Sequence, residues 1–276
     1  LRSEGRAEPG VSLPATTPQR VRMALETLGP TFIKCGQILA SRSDILPPAW
    51  VEELQALHSQ ASTLPWCELE AQVLEDLGCE LEQAFAEFDT QPLAAASMAQ
   101  VYRARLLTGE AVVVKVQRPG LRQQMTADLQ LLESLAQLIE QNAALALYQP
   151  RQMVRQLARA MLEELDFTQE GQNCDSVAQN FAQTPHIVIP SIYWALSSQR
   201  LLVQAFLPSF TPLTRAALIE QGLDPSLLAK RGAQAFIKML LEDGLFHGDP
   251  HPGNLRAMSE NRVGFICLLY TSPSPR

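Results

Sequence analysis

Apolar residues recur at helical intervals along the first third of the chain. Val21, Leu25 and Leu28 predict a helix that Gly29-Pro30 breaks, and a second helical stretch begins about Thr31, carries Lys34-Cys35-Gly36-Gln37 and is stopped by Pro47-Pro48. Two further amphipathic segments pass through Leu54 and Leu57, and through Leu69, Val73 and Leu77, with Gly78 in position to cap the latter. Residues 1–18, rich in Gly, Pro, Ser and Thr, are expected to form a flexible arm, and the remainder of the first 90 residues to be mainly helical.

The period changes at Pro92. SMAQVYRARL and EAVVVKVQ are β-favouring runs joined by Leu107-Thr108-Gly109, a hairpin signal. A long helix is predicted from about Pro119, with Met125, Leu129, Leu132, Ala136 and Ile139 as its core stripe, and another from about Arg151 that bears LEELDFTQE. HIVIP and RLLVQAF then predict short strands with a turn at Ser197-Ser198, giving a sheet of four or five strands. After Pro212 the helical period returns through Leu227, Phe236 and Leu240, stops at Gly244, and leads into the octapeptide HGDPHPGN. No internal repeat is visible.

At 276 residues, 46% hydrophobic and 18% charged, the chain has the make-up of a globular protein large enough for two lobes. Lys and Arg number 22 against 29 Asp and Glu, and ten carboxylates with no Lys or Arg lie between Trp50 and Thr90, which argues against a nucleic-acid surface. Five scattered cysteines show no zinc spacing and read as reduced thiols. No apolar run is long enough to span a bilayer, and the first residues lack the apolar core of a signal peptide.

Phosphoryl transfer depends on holding phosphates, metal and acceptor in line while neutralising charge. In HGDPHPGN, Asp249 precedes Asn254 by five positions, the interval of the kinase pattern HRDxxxxN, so one loop can aim a carboxylate at an acceptor and an amide oxygen at Mg²⁺. His247 can hold the loop backbone. Lys115, in an alternating apolar strand, either points to solvent from a sheet edge or meets an anion. Glu164, Asp166 and Glu170 are its candidate partners; on a regular helix Asp166 and Glu170 share a face at i and i+4 while Glu164 lies elsewhere. Ala94-Ala95-Ala96-Ser97 sits where a glycine-rich phosphate loop belongs, yet alanine does not readily adopt the positive φ with which glycine wraps phosphates.

Together these stretches resemble the UbiB family of atypical kinase-like proteins, also called ADCK proteins, which support ubiquinone biosynthesis. LGPTFIKCGQILASRSDILP resembles the family's KxGQ segment, AAASMAQVYRARL its alanine-rich loop, VVVKVQRPG its ATP-lysine strand, EELDFTQE its ExD region and HGDPHPGN its catalytic loop. The resemblance runs from about Leu28 to Asn254. It implies an α+β, protein-kinase-like two-lobe fold with a family-specific N-terminal helical extension: extension over 19–90, small lobe with inserted helices over 91–208, and the start of the large lobe over 209–266. It implies ATP and Mg²⁺ as cofactors, with Ala94 to Ser97, Lys115, Glu164, Asp166 and Glu170 around the nucleotide. Lys115 would pair with Glu170, and Asp249 and Asn254 would serve the phosphoryl site and metal. Lys34 and Gln37 would fold over that site, Lys34 meeting Glu164 or Asp166, which favours ATP hydrolysis or lipid work over protein phosphorylation. Ubiquinone-pathway lipids and biosynthetic proteins are the implied partners, in a bacterial cytoplasm or on its membrane, or in a mitochondrion.

The pattern departs at the end. VGFI, residues 263–266, suits the strand that precedes Asp-Phe-Gly in kinases, but Cys267, Leu268 and Leu269 follow. The expectation is a truncated large lobe with a foreign stretch over 267–276; a relative that lost the aspartate is the alternative. Three functions follow: an ATPase-like enzyme of ubiquinone biosynthesis, inactive in this form; a catalytically dead nucleotide-binding scaffold; and a small-molecule phosphotransferase of the aminoglycoside-kinase type, against which KCGQ and AAAS argue.

Overall fold

The structure is a computed structural model that describes residues 16–40, 46–58, 63–208, 213–248, 254–266 and 270–271. Most of the predicted arm, Asp249 and positions 267–269 lie outside the described residues. The chain forms two compact units, one within residues 1–60 and the other within 61–276.

The first unit is helical. Helix α1 (Thr17–Leu28) opens on a capping box, in which Thr16 accepts from the Gln19 backbone and the Gln19 side chain accepts from the Thr16 N–H. It ends where Gly29 takes φ of 101°. Helix α2 (Pro30–Ala40) and helix α3 (Pro48–Gln55), which runs into a 3₁₀ turn at Ala56–His58, complete the unit. Ala40, Leu54 and Leu57 form its core with Leu25, Ile33 and Leu46. Gly36 is the point of closest approach: a Cβ there would stand 2.3 Å from Leu57 Cδ1 and 3.0 Å from Leu25 Cδ1. Gly36→Val should therefore splay the three helices and cost about 1–3 kcal/mol. A thermal melt of residues 16–58 within the intact chain, followed by hydrogen exchange, checks this; unchanged protection of α2 would show that the leucines yield freely.

The second unit begins with helix α4 (Trp66–Leu77), which ends on left-handed Gly78, as its sequence position predicts, and a short helix α5 (Leu81–Ala84). Strand β1 (Phe85–Phe88) follows within the stretch that periodicity assigned to helix. It pairs with β3 (Ala99–Leu106), which also pairs with β2 (Ala94–Ala95) and with β4 (Ala111–Gln117); β6 (Leu201–Ala205) closes the five-stranded sheet. The division near residue 90 read from the sequence thus cuts through this packing: Leu69 and Val73 of α4 are fully buried against Tyr102, Val112, Val114, Val116, Leu201 and Val203 on one sheet face. Those strand positions alternate, so the intervening Val113, Lys115 and Gln117 belong to the opposite face.

Helix α6 (Leu121–Glu140) buries Leu121, Met125, Leu129 and Ala136, whereas Ile139, expected in the same stripe, is 45% exposed near the helix end. A short helix α7 (Ala143–Ala146) leads to α8 (Pro150–Glu164) and α9 (Phe167–Asn180). Strand β5 (Ile187–Val188), from HIVIP, does not join the five-stranded sheet. It pairs in parallel with β9 (Arg262–Phe265), which pairs antiparallel with β8 (Leu255–Met258). A 3₁₀ turn at Trp194–Leu196 precedes β6. Helices α10 (Arg215–Glu220) and α11 (Pro225–Lys238) pack on the small sheet through Leu218, Leu228, Ala235, Val263 and Phe265. A π-helical turn at Met239–Asp243 and left-handed Gly244 carry α11 into β7 (Phe246–His247), which pairs with β10 (Tyr270–Thr271). Among the described residues no helix is long and apolar enough to cross a membrane.

Candidate nucleotide site

Lys115 is not at a sheet edge. Strand β4 runs between β3 and β6, and Lys115 pairs across them with Val101 and Leu202. Its ammonium lies 2.5 Å from Glu170 Oε2, with side-chain exposures of 14% and 8%, and 4.6 Å from the centre of the Phe167 ring. A cation taken this far from water requires such partners.

Two of those partners come from a feature the sequence reading did not resolve. LEELDFTQE is not one helix. Helix α8 stops at Glu164, and Asp166 caps α9, its Oδ1 accepting from the backbone and hydroxyl of Thr168 at 3.0 and 2.6 Å. Asp166 and Glu170 therefore do not share the face of a continuous helix. The break is fixed on both sides: Gln117 Nε2 donates to the Leu165 carbonyl at 2.7 Å, and the Phe167 N–H donates to Gln199 at 3.0 Å. The Asp-x-Thr signature of an N-cap was present in the sequence and outweighs continuation of the helix. The turn places Phe167 and Glu170 on the first turn of α9, under Lys115.

Glu170 is over-supplied with negative charge. Burial pushes its carboxyl up from the ordinary carboxylate value, Lys115 opposes this, and Glu164 reinforces it. Its second oxygen, Oε1, is buried and has no hydrogen-bond partner among the described residues. Gly171, next in the helix, has no room for a side chain, since a Cβ would meet the Trp194 ring at 2.6 Å.

The alanine segment forms a tight reversal beside Lys115. Ala94 pairs with Val101 and Ala95 with Gln100, and the Ala96 N–H donates to Ala99 at 2.8 Å, leaving Ser97-Met98 at the tip. None of these residues has a positive φ, so the reversal uses only backbone conformations open to alanine. Arg118, not singled out from the sequence, ties it down: its Nε donates to the Ala96 carbonyl and its N–H to Met98. Its place immediately after the lysine strand was the available clue. Ala94, Val101, Lys115 and Leu202 form one row across the sheet.

The other half of the octapeptide frame is described at its two ends. His247 is 1% exposed, and its Nε2–H donates to the Ile266 carbonyl at 3.0 Å; the Ile266 N–H donates to the carbonyl of buried Asn254 at 2.9 Å. His247, Asn254 and Ile266 are thus knitted at the mouth of the loop, while Asp249 and His251 lie outside the described residues. The two halves are linked through the segment after β6, where Leu207 Cδ1 is 3.0 Å from the position a Gly264 Cβ would take. Lys34 and Gln37 are on α2 of the first unit, one helical turn apart, and Gln37 Nε2 donates to the Leu57 carbonyl at 3.1 Å.

A nucleotide suits the first group: a buried ammonium offers a cation to phosphate oxygens and the close backbone reversal a place for them to approach the main chain. A hard divalent cation is less well served. Among the described residues no group of three or more His, Cys, Asp and Glu could hold a metal, Asn254 supplies one neutral oxygen, and Cys267 occupies the place of the expected acid.

A central-strand lysine paired with a glutamate from a following helix, ahead of a histidine- and asparagine-framed loop on a second small sheet, defines a kinase-like protein. The model of the ABC1 atypical kinase-like domain matches residues 56–269, and the chain belongs to that family. A protein of Azotobacter vinelandii described as a probable protein kinase UbiB is 40% identical over 237 residues, 86% of this chain and 44% of its own length. An uncharacterised Synechocystis protein is 37% identical over 247 residues, 90% of this chain and 36% of its own. The chain therefore spans less than half the length of these curated relatives. The Mycobacterium tuberculosis protein Rv3197, solved with erythromycin, has the same fold, with a TM-score of 0.62, 24% identity, and coverage of 92% of this chain and 64% of that one.

Proposed function

We propose that this chain is the nucleotide-binding part of a UbiB-like atypical kinase that holds ATP and supports ubiquinone biosynthesis. The observation that carries the reading is the buried Lys115–Glu170 pair at 2.5 Å on a central strand. The Lys115 ammonium neutralises phosphate charge. Glu170, anchored by the α8–α9 break, aims the ammonium, and the reversal at Ala94 to Ser97 offers backbone N–H groups to phosphate oxygens without glycine. Asp249 accepts the proton of the attacking hydroxyl or water, and Asn254 offers its amide oxygen to Mg²⁺, whose contribution when bound is to neutralise phosphate charge.

The missing acid at position 267 favours a second reading, a nucleotide-binding scaffold with little turnover. Binding tests what the two share. ATP should bind saturably in calorimetry, and Lys115→Arg, which keeps the charge but replaces a compact ammonium with a broad planar group, should weaken it about tenfold or more. Absence of saturable binding would remove both readings. The cellular role is checked by ubiquinone content: in a host lacking its own family member, that member carrying this domain in place of its own, with Cys267→Asp, Leu268→Phe and Leu269→Gly, should restore ubiquinone, and adding Asp249→Asn should abolish the recovery.

A further inference from the structure

The hairpin of α6 and α8 has two unlike flanks. On one, Arg155 Nε stands 2.8 Å from Glu133, and Arg151 lies 3.9 and 4.0 Å from Glu133 and Glu140. At about 3.6 residues per turn, a side chain two positions away points to nearly the opposite side of its helix. Leu131 and Leu135 stand two positions either side of Glu133, Leu138 two before Glu140, and Met153 midway between Arg151 and Arg155. The flank opposite the ion pairs is therefore apolar on both helices, and these four residues are each about half exposed.

The hairpin tip is apolar as well. From Gln141 to Pro150 the chain has no Asp, Glu, Lys or Arg, and Leu147 and Tyr148 are 84% and 72% exposed. Together the six residues leave on the order of 700 Å² of apolar surface open, more than most monomers show in one patch. That is most of the roughly 800 Å² that each partner buries in a stable complex.

A bilayer fits this flank less well than a protein. Between Leu121 and Glu164 there are four arginines and no lysine against five carboxylates, so the hairpin lacks the cationic excess of a helix drawn to anionic headgroups. The steps of four and three from Leu131 to Leu135 to Leu138 are instead the spacing at which side chains of one helix enter the holes of another. Two antiparallel helices with one apolar flank make half of a four-helix bundle, and the same hairpin of a second chain supplies the other half.

We propose that the apolar flank of the α6–α8 hairpin is a self-association surface, through which two copies of the chain join their hairpins about a twofold axis into a four-helix bundle. The ion pairs of each hairpin then face water, and the leucine rows and Met153 face each other. Self-association of this kind uses none of the residues placed at the nucleotide site and does not depend on nucleotide.

Sedimentation equilibrium on the intact chain, with reductant to keep its thiols from cross-linking, should show a dimer at about 10–50 μM. Leu135→Glu, in the middle of the row, sets a carboxylate from each copy into the interface and should weaken dimerisation about a hundredfold or more. Its thermal midpoint should match that of the parent at dilutions where both are monomeric. Gln137→Glu adds the same charge two positions along, on the far side of the helix, and should leave the dimer intact. Should Leu135→Glu unfold the hairpin, Leu138→Gln, which adds no charge, decides: it should weaken the dimer about tenfold. A monomer at every concentration, or a dimer that neither leucine variant weakens, overturns the assignment. So does a monomer that floats with phosphatidylcholine vesicles and loses that binding on Leu135→Glu, which would give the flank to a lipid surface.

Discussion

Lys115→Met should lower the unfolding free energy by about 3–5 kcal/mol near neutral pH, the usual cost of removing one partner of a buried ion pair. Methionine fills the stem but leaves Glu170, 8% exposed, beside Glu164 with no ammonium between them. The Phe167 face also loses a cation at 4.6 Å. The loss must depend on pH in a definite direction. The Glu170 carboxyl is already raised above its ordinary 4.5 by burial and by Glu164, and removing Lys115 raises it further. A raised carboxyl in the folded state favours the protonated form, so folding is least penalised at low pH and loses stability as pH rises from 4.5 through the folded-state value. Asp166 is engaged in its cap with Thr168 and does not substitute. Urea denaturation at several pH values should therefore show the parent–variant gap narrowing as pH falls toward 4.5. Lys115→Met with Glu170→Met should recover much of the stability, because the buried charge is then gone from both sides. A gap independent of pH, or no recovery in the double variant, would mean that Glu170 is not the partner that matters.

What the sequence showed and hid follows from the physics of particular residues. The β3–β4 hairpin was legible because Gly109, at φ of 100°, supplies a conformation few residues tolerate, and the ends of α1 and α4 were legible through Gly29 and Gly78. The pairing of Lys115 with Glu170, 55 positions apart, came from resemblance; the alternation of VVVKV leaves both an edge and a central strand open. The α8–α9 break was missed because helix-favouring Leu162 to Leu165 and Gln169-Glu170 flank Asp166-Phe167-Thr168, and a single Asp cap with two backbone ties decides against continuity. Strand β1 was hidden because Phe85 and Phe88 do not alternate, their rings meeting at 5.5 Å across a bulged register with β3. HIVIP was recognisable as a strand, but its partner, β9, lies some 75 positions later, and no local pattern chooses between two sheets. Glu164, Glu170 and Lys115 form one charge cluster through tertiary packing alone; helical spacing misassigned which acids share a face.

The largest kinetic effect is expected at the end of β9. Ile266 is tied to Asn254, the metal candidate, through its N–H and to His247 through its carbonyl, and position 267 follows it directly in sequence. One neutral oxygen is a poor donor set for a hard cation, and a carboxylate at position 267 is expected to complete it. The chain has Cys267 instead, followed by Leu268 and Leu269. Reduced thiols suit soft cations and do little for Mg²⁺. The chain as given should therefore bind ATP with little turnover. Cys267→Asp with Leu268→Phe and Leu269→Gly should raise Mg²⁺-dependent ATP hydrolysis by about 10²–10³-fold, the scale on which one well-placed charge-stabilising group acts. ATP affinity measured without Mg²⁺ should stay within a few-fold, because Lys115 and the alanine reversal are untouched. Adding Asp249→Asn to the restored chain should abolish the gain. The scaffold reading makes the opposite forecast: no turnover above the Asp249→Asn control even with the acid restored. Hydrolysis by the original chain as fast as by the restored one would show that another carboxylate, with Glu164 the first to exchange for Gln, already does what an acid at position 267 is expected to do.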